Sequence, residues 1–275
     1  MIIFYLIILG LCFGSFVNAL VWRLHKQSRS SKTPQTSEYS ILHGRSMCTD
    51  CGHTLAWYDL LPVVSWISLK GKCRYCHKSI SWQYPLVELA TAFLFVFSYV
   101  FWPSALSPQP SALFAFWLIF LTGFMALTVY DLRWMVLPDR IIFPLQALAI
   151  AYVLVFFVIT KGDWQVLFGA FLGVVFSAGL FYVLFQISNG KWIGGGDVKL
   201  AVVLGLLVGG AAEALLMLFI ASLLGSMIGI PLLIAKKTKL QSKLPFGPLL
   251  IVAAIIVYLF GTSLITAYKR QFLVI

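Results

Sequence analysis

Long apolar runs dominate this chain. Eight can be traced, at 2–22, 85–102, 111–130, 140–159, 165–187, 198–210, 213–235 and 246–267. A helix needs roughly 20 mainly apolar residues to cross a hydrocarbon layer of about 30 Å. In lipid every backbone polar group must bond internally, so runs of this length predict helices and not a barrel of alternating strands. The expected fold class is an all-α polytopic membrane protein with about eight transmembrane helices. The run at 198–210 is short and abuts the next across Gly209-Gly210, so the pair also fits one broken or re-entrant element. Composition agrees: 61% of the 275 residues are hydrophobic and 11% are charged, against about 25% charged in soluble domains. So little charge cannot coat a water-facing surface, which excludes a soluble globular protein.

The basic residues set the orientation. With residue 1 outside, the segments 23–84, 131–139, 188–197 and 236–245 lie inside, with Arg140 and Lys199 at adjoining helix starts. Of 20 basic residues only Lys161, Lys269 and Arg270 then fall outside, leaving 17 within. The positive-inside bias therefore selects an external N-terminus and a cytoplasmic 23–84 segment. The net charge of +11 follows from this topology and from attraction to anionic lipid, with no nucleic-acid partner required. The first run has no basic residue before it, and Arg23, His25 and Lys26 follow it. It reads as a retained helix, not a cleaved signal.

Residues 23–84 form the one sizeable water-soluble segment. From His25 to Arg45 the chain is rich in Ser, Thr, Gln and Lys and reads as a flexible linker. Then come Cys48-Thr-Asp-Cys51 and Cys73-Arg-Tyr-Cys76, separated by 21 residues. Two CxxC turns near this separation predict a zinc-ribbon-like module, with Cys48, Cys51, Cys73 and Cys76 holding one zinc ion tetrahedrally. Disulfides are the alternative, and a reducing cytoplasm disfavours them. A full set of four thiolates leaves no open position, so the zinc is structural. Cys12, inside the first run, reads as a small buried apolar residue, and His53 and His77 as surface residues. The domain plan is a first helix at 1–22, this module at 23–84 and a membrane core at 85–275.

Nine acidic residues remain to be weighed. Glu38, Asp50, Asp59 and Asp163 read as solvated surface. Glu213 suits the positive end of a helix dipole, and Glu88, slightly deeper in its run, is a weaker candidate for a site. Asp131 ends the third apolar run at its cytoplasmic side, where a helix dipole disfavours a carboxylate by about 0.3–1 kcal/mol. An ionisable group there is a functional candidate; a salt bridge to Arg133 is the plainer explanation. Asp139, after Pro138, reads as a helix N-cap. Asp197 follows Gly194-Gly195-Gly196, and three glycines are a poor way merely to start a helix. They suit close backbone approach to an extended peptide or a second carboxylate. Both Asp131 and Asp197 fall at one membrane surface. Two carboxylates in a partly dry site share a proton, the ionised one activating water while the protonated one polarises a peptide carbonyl. No Ser–His–Asp set competes, because all four His lie in residues 25–77.

These motifs together resemble the type IV prepilin peptidases, the bifunctional leader peptidase/N-methyltransferases of pilus and type II secretion systems. The likeness runs nearly end to end. It covers Gly14-Ser-Phe-Val-Asn18 with Arg23-Leu24, and the two CxxC pairs with Asp59-Leu-Leu-Pro62, Ser65-Trp66, Gly71-Lys72-Cys73-Arg74 and Tyr84-Pro85 to Glu88. It continues through Asp131 to Leu137-Pro138-Asp139, and through Gly194-Gly-Gly-Asp197-Val-Lys199, which is similar to the GxGD signature of intramembrane aspartyl proteases. The resemblance implies that Asp131 and Asp197 are the catalytic pair. It also implies that prepilins or pseudopilins are cut after a Gly at the cytoplasmic membrane face. The new N-terminus would then be methylated from S-adenosylmethionine, in a bacterial inner membrane. No residues match the Gly-rich cofactor loop of a soluble methyltransferase, so the methyl-donor site stays unassigned.

Two other readings are a proton-coupled transporter and a non-enzymatic assembly factor docking a partner through the cysteine module. Against the first stand the absence of an inverted repeat and the placement of both aspartates at one face, not the midplane.

Overall fold

The computed structural model describes residues 1–29, 44–103, 111–234 and 245–272. The expected linker falls largely on 30–43, outside the described residues, as do Glu38 and nearly all of the basic segment 236–245. Every regular element among the described residues is helical. The helices are α1 (Ile2–Arg29), α2 (Val64–Ser68), α3 (Gln83–Val100), α4 (Ser111–Trp134), α5 (Asp139–Ile159), α6 (Trp164–Val174), α7 (Leu180–Ser188), α8 (Gly195–Val208), α9 (Ala211–Ile234) and α10 (Gly247–Phe272). A π-helical turn at Val175–Gly179 joins α6 to α7, so Trp164–Ser188 is one continuous span.

Among the described residues seven helices are long and apolar enough to cross a membrane, and the chain is a multi-pass membrane protein. The expected run at 198–210 is α8, which is not among the seven. At 1.5 Å per residue its 14 residues reach about 21 Å, short of the hydrocarbon layer. It is instead buried by protein: Leu200, Ala201, Val203 and Leu204 have no exposed surface.

The chain divides into two compact units, Met1–Phe101 with Leu118–Val129, and Trp102–Trp117 with Tyr130–Ile275. In the first, α1 lies directly against α3. A Cβ on Gly10 would stand 2.5 Å from the Ala92 Cα, and one on Gly14 2.5 Å from the Glu88 Cα. Glycine removes the side-chain bulk that would otherwise hold two backbones apart in lipid. Cys12 is exposed on this helix instead of buried; a small apolar thiol is equally at home facing lipid.

In the second unit, α6 and α8 run antiparallel along a seam of small residues at four-residue spacing. Gly169 meets Gly209 and Gly173 meets Gly205, and a Cβ on Gly173 would overlap the Gly205 carbonyl oxygen. The next rung is polar. Ser177, in the π turn, donates bifurcated hydrogen bonds to the Gly173 carbonyl at 2.7 Å and to the Ala201 carbonyl at 3.0 Å. Close contact and one interhelical hydrogen bond replace the hydrophobic driving force that lipid cannot supply. The seam holds α8, which carries Asp197.

Candidate functional site

Asp131 lies in the last turn of α4. Met135, in the left-handed region at φ 52°, closes that helix by donating its N–H to the Asp131 carbonyl at 2.8 Å. A carboxylate at a helix C-terminus is disfavoured by that helix's own dipole. The fold answers with a second helix end, because the backbone N–H of Gly247, first residue of α10, bonds the Asp131 carboxylate. A Cβ at 247 would stand 2.8 Å from Asp131 Oδ2, closer than real contacts come, so any larger residue would displace the carboxylate or α10. Asp131 is buried, and the salt bridge to Arg133 does not form among the described residues. The Arg133 guanidinium lies 5.6 Å over the Trp134 ring instead.

Asp197 is the third residue of α8, and Gly194 occupies the N-cap. The Asp197 carboxylate turns back to the Gly194 backbone, as the N3 acid of a capping box does. The glycine run provides contact distance: a Cβ on Gly196 would stand 3.0 Å from the Leu137 Cβ, and one on Gly194 3.3 Å from Asp197 Oδ2. Leu137 also borders Gly247, 3.5 Å from where its Cβ would be. One leucine thus touches the segments that present both acids. Asp197 precedes the apolar run of α8, and burial, joined by the Asp131 charge, pushes its pKa up to about 6. The Asp131 charge thus reaches Asp197 and disfavours ionisation of both acids together.

The expected cap at Asp139 is not formed. Pro138 holds the N-cap of α5 without a side-chain bond, while the Asp139 carboxylate accepts from Lys199 Nζ at 2.7 and 2.9 Å. The Lys199 carbonyl accepts from Gln146 of α5 at 2.9 Å. α5 therefore grips α8 two residues beyond Asp197. Asp163, expected as solvated surface, caps α6 by accepting from the Gln165 N–H at 2.9 Å.

The cysteine module repeats one turn twice. Cys48 donates its N–H to the His53 carbonyl, and Cys73 donates to the Lys78 carbonyl, both at 2.9 Å. Gly52 at φ 71° and His77 at φ 57° occupy the equivalent left-handed position. The turns bring Cys48, Cys51, Cys73 and Cys76 together, all four sulfurs within 4.8 Å of one another and Cys48 to Cys76 at 3.9 Å. Tetrahedral zinc with bonds of about 2.3 Å places its sulfurs about 3.8 Å apart, so the cluster fits a metal ion. Burial pushes Cys48 up, but backbone N–H groups of Cys51 and Asp50 win and bring it down to about 7. At Cys76 a backbone bond from Lys78 lowers the thiol, yet burial and the other sulfurs push it up to about 12. Four thiols that close do not all ionise without a positive charge among them.

Two features escaped the sequence reading. Gly247 carried a signal, a Gly-Pro pair opening a span after a basic segment. Glu88 has a structural duty: its Oε2 accepts the Val63 N–H at 2.7 Å. Val63 sits at φ 61° and ψ −48° while Val64 bonds back to the Pro62 carbonyl, a strained γ-turn rarely occupied by a β-branched residue.

A multi-pass helical membrane protein with paired acids at converging helix ends and a separate four-thiol cluster is the class that fold and site define. The description "Bacterial Peptidase A24 N-terminal domain" matches residues 8–102, and "Type IV leader peptidase family" matches residues 118–230. A prepilin leader peptidase/N-methyltransferase of Pseudomonas aeruginosa is 32% identical over 276 residues, 96% of this chain and 92% of that protein. One from Aeromonas salmonicida is 33% identical over 278 residues, with the same coverages. One from Bacillus subtilis is 32% identical over 268 residues, 97% of each chain. No solved structure matches. The chain belongs to the prepilin leader peptidase/N-methyltransferase family.

Proposed function

We propose that this chain removes the leader peptides of prepilins or pseudopilins and then methylates the new N-terminus, in a bacterial inner membrane with its N-terminus outside. The observation that carries the reading is the convergence of Asp131 and Asp197 around Gly247 and Leu137, in a chain similar end to end to proteins named for both activities. In this reading the pair holds one proton. The ionised acid takes a proton from water as it attacks the carbonyl carbon after a leader Gly, and the protonated acid donates to the carbonyl oxygen. Collapse returns a proton to the leaving amine and restores the pair. The Gly247 N–H and the start of α10 keep the negative charge at Asp131 tolerable in a partly dry site.

S-adenosylmethionine supplies the methyl group as a substrate of the second reaction. The cysteine module, 23–84, holds structural zinc through Cys48, Cys51, Cys73 and Cys76, and residues 85–275 form the proteolytic core. The test is incubation in proteoliposomes with a leader-bearing prepilin and isotope-labelled S-adenosylmethionine, both products read by mass spectrometry. Asp131→Asn and Asp197→Asn are each expected to lower cleavage at least about 10²-fold. Retained leader removal in both variants would refute the assignment.

A further inference from the structure

The segment Trp57–Ser68 inverts the pattern of a water-exposed loop. Its carboxylate turns inward: Asp59 accepts from Arg74 Nε at 2.7 Å, the Tyr75 hydroxyl at 3.2 Å and the Ala56 N–H at 3.3 Å. Its apolar side chains turn outward. Trp57 is 77% exposed, Val64 62% and Ile67 63%, with Tyr58, Leu60 and Leu61 also exposed. Val64 and Ile67 are three apart on the single turn of α2 and so share one face, while Trp66 points inward and donates to the Ile80 carbonyl at 3.2 Å. A soluble surface hides apolar groups and shows its acids.

The Val63–Glu88 hydrogen bond fixes the height of this segment. Glu88 is 88 − 83 = 5 residues into α3, a helix long and apolar enough to span a membrane. Five residues at 1.5 Å each come to about 7.5 Å of depth, matching the roughly 5–10 Å to which surface-lying amphipathic elements enter the headgroup and acyl boundary. Trp82, 67% exposed directly before α3, stands at the helix entrance above that level, where tryptophan favours the membrane interface. Lys70 and Lys72, both exposed, follow the apolar face and suit anionic headgroups. We infer that Trp57–Ser68 is a membrane-surface anchor, its apolar face seated in the headgroup–acyl boundary of the leaflet that α3 enters. The Glu88 bond and the strained turn at Val63 then serve to hold that face toward lipid, fastening the cysteine module to the bilayer.

The experiment uses the whole protein in nanodiscs of phosphatidylethanolamine and phosphatidylglycerol. Trp57, Val64 or Ile67 is replaced in turn by the photoreactive p-benzoylphenylalanine, with Asp50 and Lys78, exposed on the same module, replaced as controls. An aromatic substituent at an exposed position leaves folding intact, and metal content checks each variant. Lipid adducts are expected at 57, 64 and 67, and none above background at 50 and 78. Adducts chiefly to an added prepilin or to a second copy of the chain would overturn the proposal, as would equal or no lipid labelling at all five positions.

Discussion

The paired acids and the cysteine module face one problem, crowding groups of like charge, and meet it in opposite ways. In the module the partners are near in sequence. Each CxxC turn carries its own backbone bonds, and only two such turns need to meet. The charge there calls for a metal ion. In the acid site the partners are 197 − 131 = 66 residues apart, and the glycine that receives Asp131 lies another 247 − 197 = 50 beyond. There, in the proposed mechanism, one shared proton relieves the charge, and the N-terminus of α10 meets Asp131. A site made of turns is therefore vulnerable to ligand loss, and one made of converging helices to small changes of shape.

The largest effect should come from shape. Gly247→Ala puts a methyl where 2.8 Å separates it from Asp131 Oδ2, so the acid or α10 must move. A displacement near 1 Å in a catalytic pair can cost about 10²-fold. A drop of that size in kcat/KM for leader cleavage, at unchanged helix content by circular dichroism, is expected. A wild-type rate would break the contrast, because the acid site would then tolerate what only the module should.

Loss of a ligand comes next. Cys73→Ser removes one of four sulfurs from the cluster, and the zinc proposed there would be lost with the coordination that holds it. Metal analysis of the purified variant should fall close to zero. Methylation is expected to suffer more than cleavage, since the module and the acid pair are separate constructions. If cleavage disappeared in protein that still inserts and folds, that separation would be false.

A smaller, sharper effect concerns the shared proton. The raised pKa of Asp197, about 6, has two causes, burial and then the Asp131 charge. The group therefore keeps its proton up to about pH 6 and loses it as pH rises further. Asp131→Asn deletes the second cause and leaves the first, so ionisation should move to lower pH without reaching the ordinary aspartate value. The infrared carbonyl stretch of the protonated acid, titrated in wild type and variant, reads this directly. An unmoved titration would mean that the acids do not feel each other.

The same contrast explains what could be read from the sequence. The spans and the four cysteines were legible because lipid imposes a length and metal imposes a spacing, and both rules act locally. The proposed Asp131–Asp197 pair was suggested through misfit, a carboxylate at the wrong helix end and more glycines than a helix start needs. The duties of Asp139, Glu88 and Gly247 were not. Each depends on a partner at least 25 residues away, Lys199, Val63 and Asp131 respectively, and no local propensity announces such a pairing. α8 was the ambiguous run for a related reason: its sequence is as apolar as a span, while its 14 residues are too few to cross and six of them are buried against protein.

The mildest test lies within the module. Gly52 and His77 hold equivalent left-handed positions, at φ 71° and 57°. For His77 that conformation costs about 1–2 kcal/mol, while glycine there would give back about 0.5–1 kcal/mol through its freer unfolded chain. His77→Gly should therefore stabilise the second turn by about 1 kcal/mol or less. Amide hydrogen exchange across residues 73–79 should slow several-fold, with cleavage unchanged. His77 is exposed and its neighbour turn manages with glycine, so its ring has little to lose by departing. Faster exchange would show instead that the imidazole stabilises the metal turn more than its backbone strain costs.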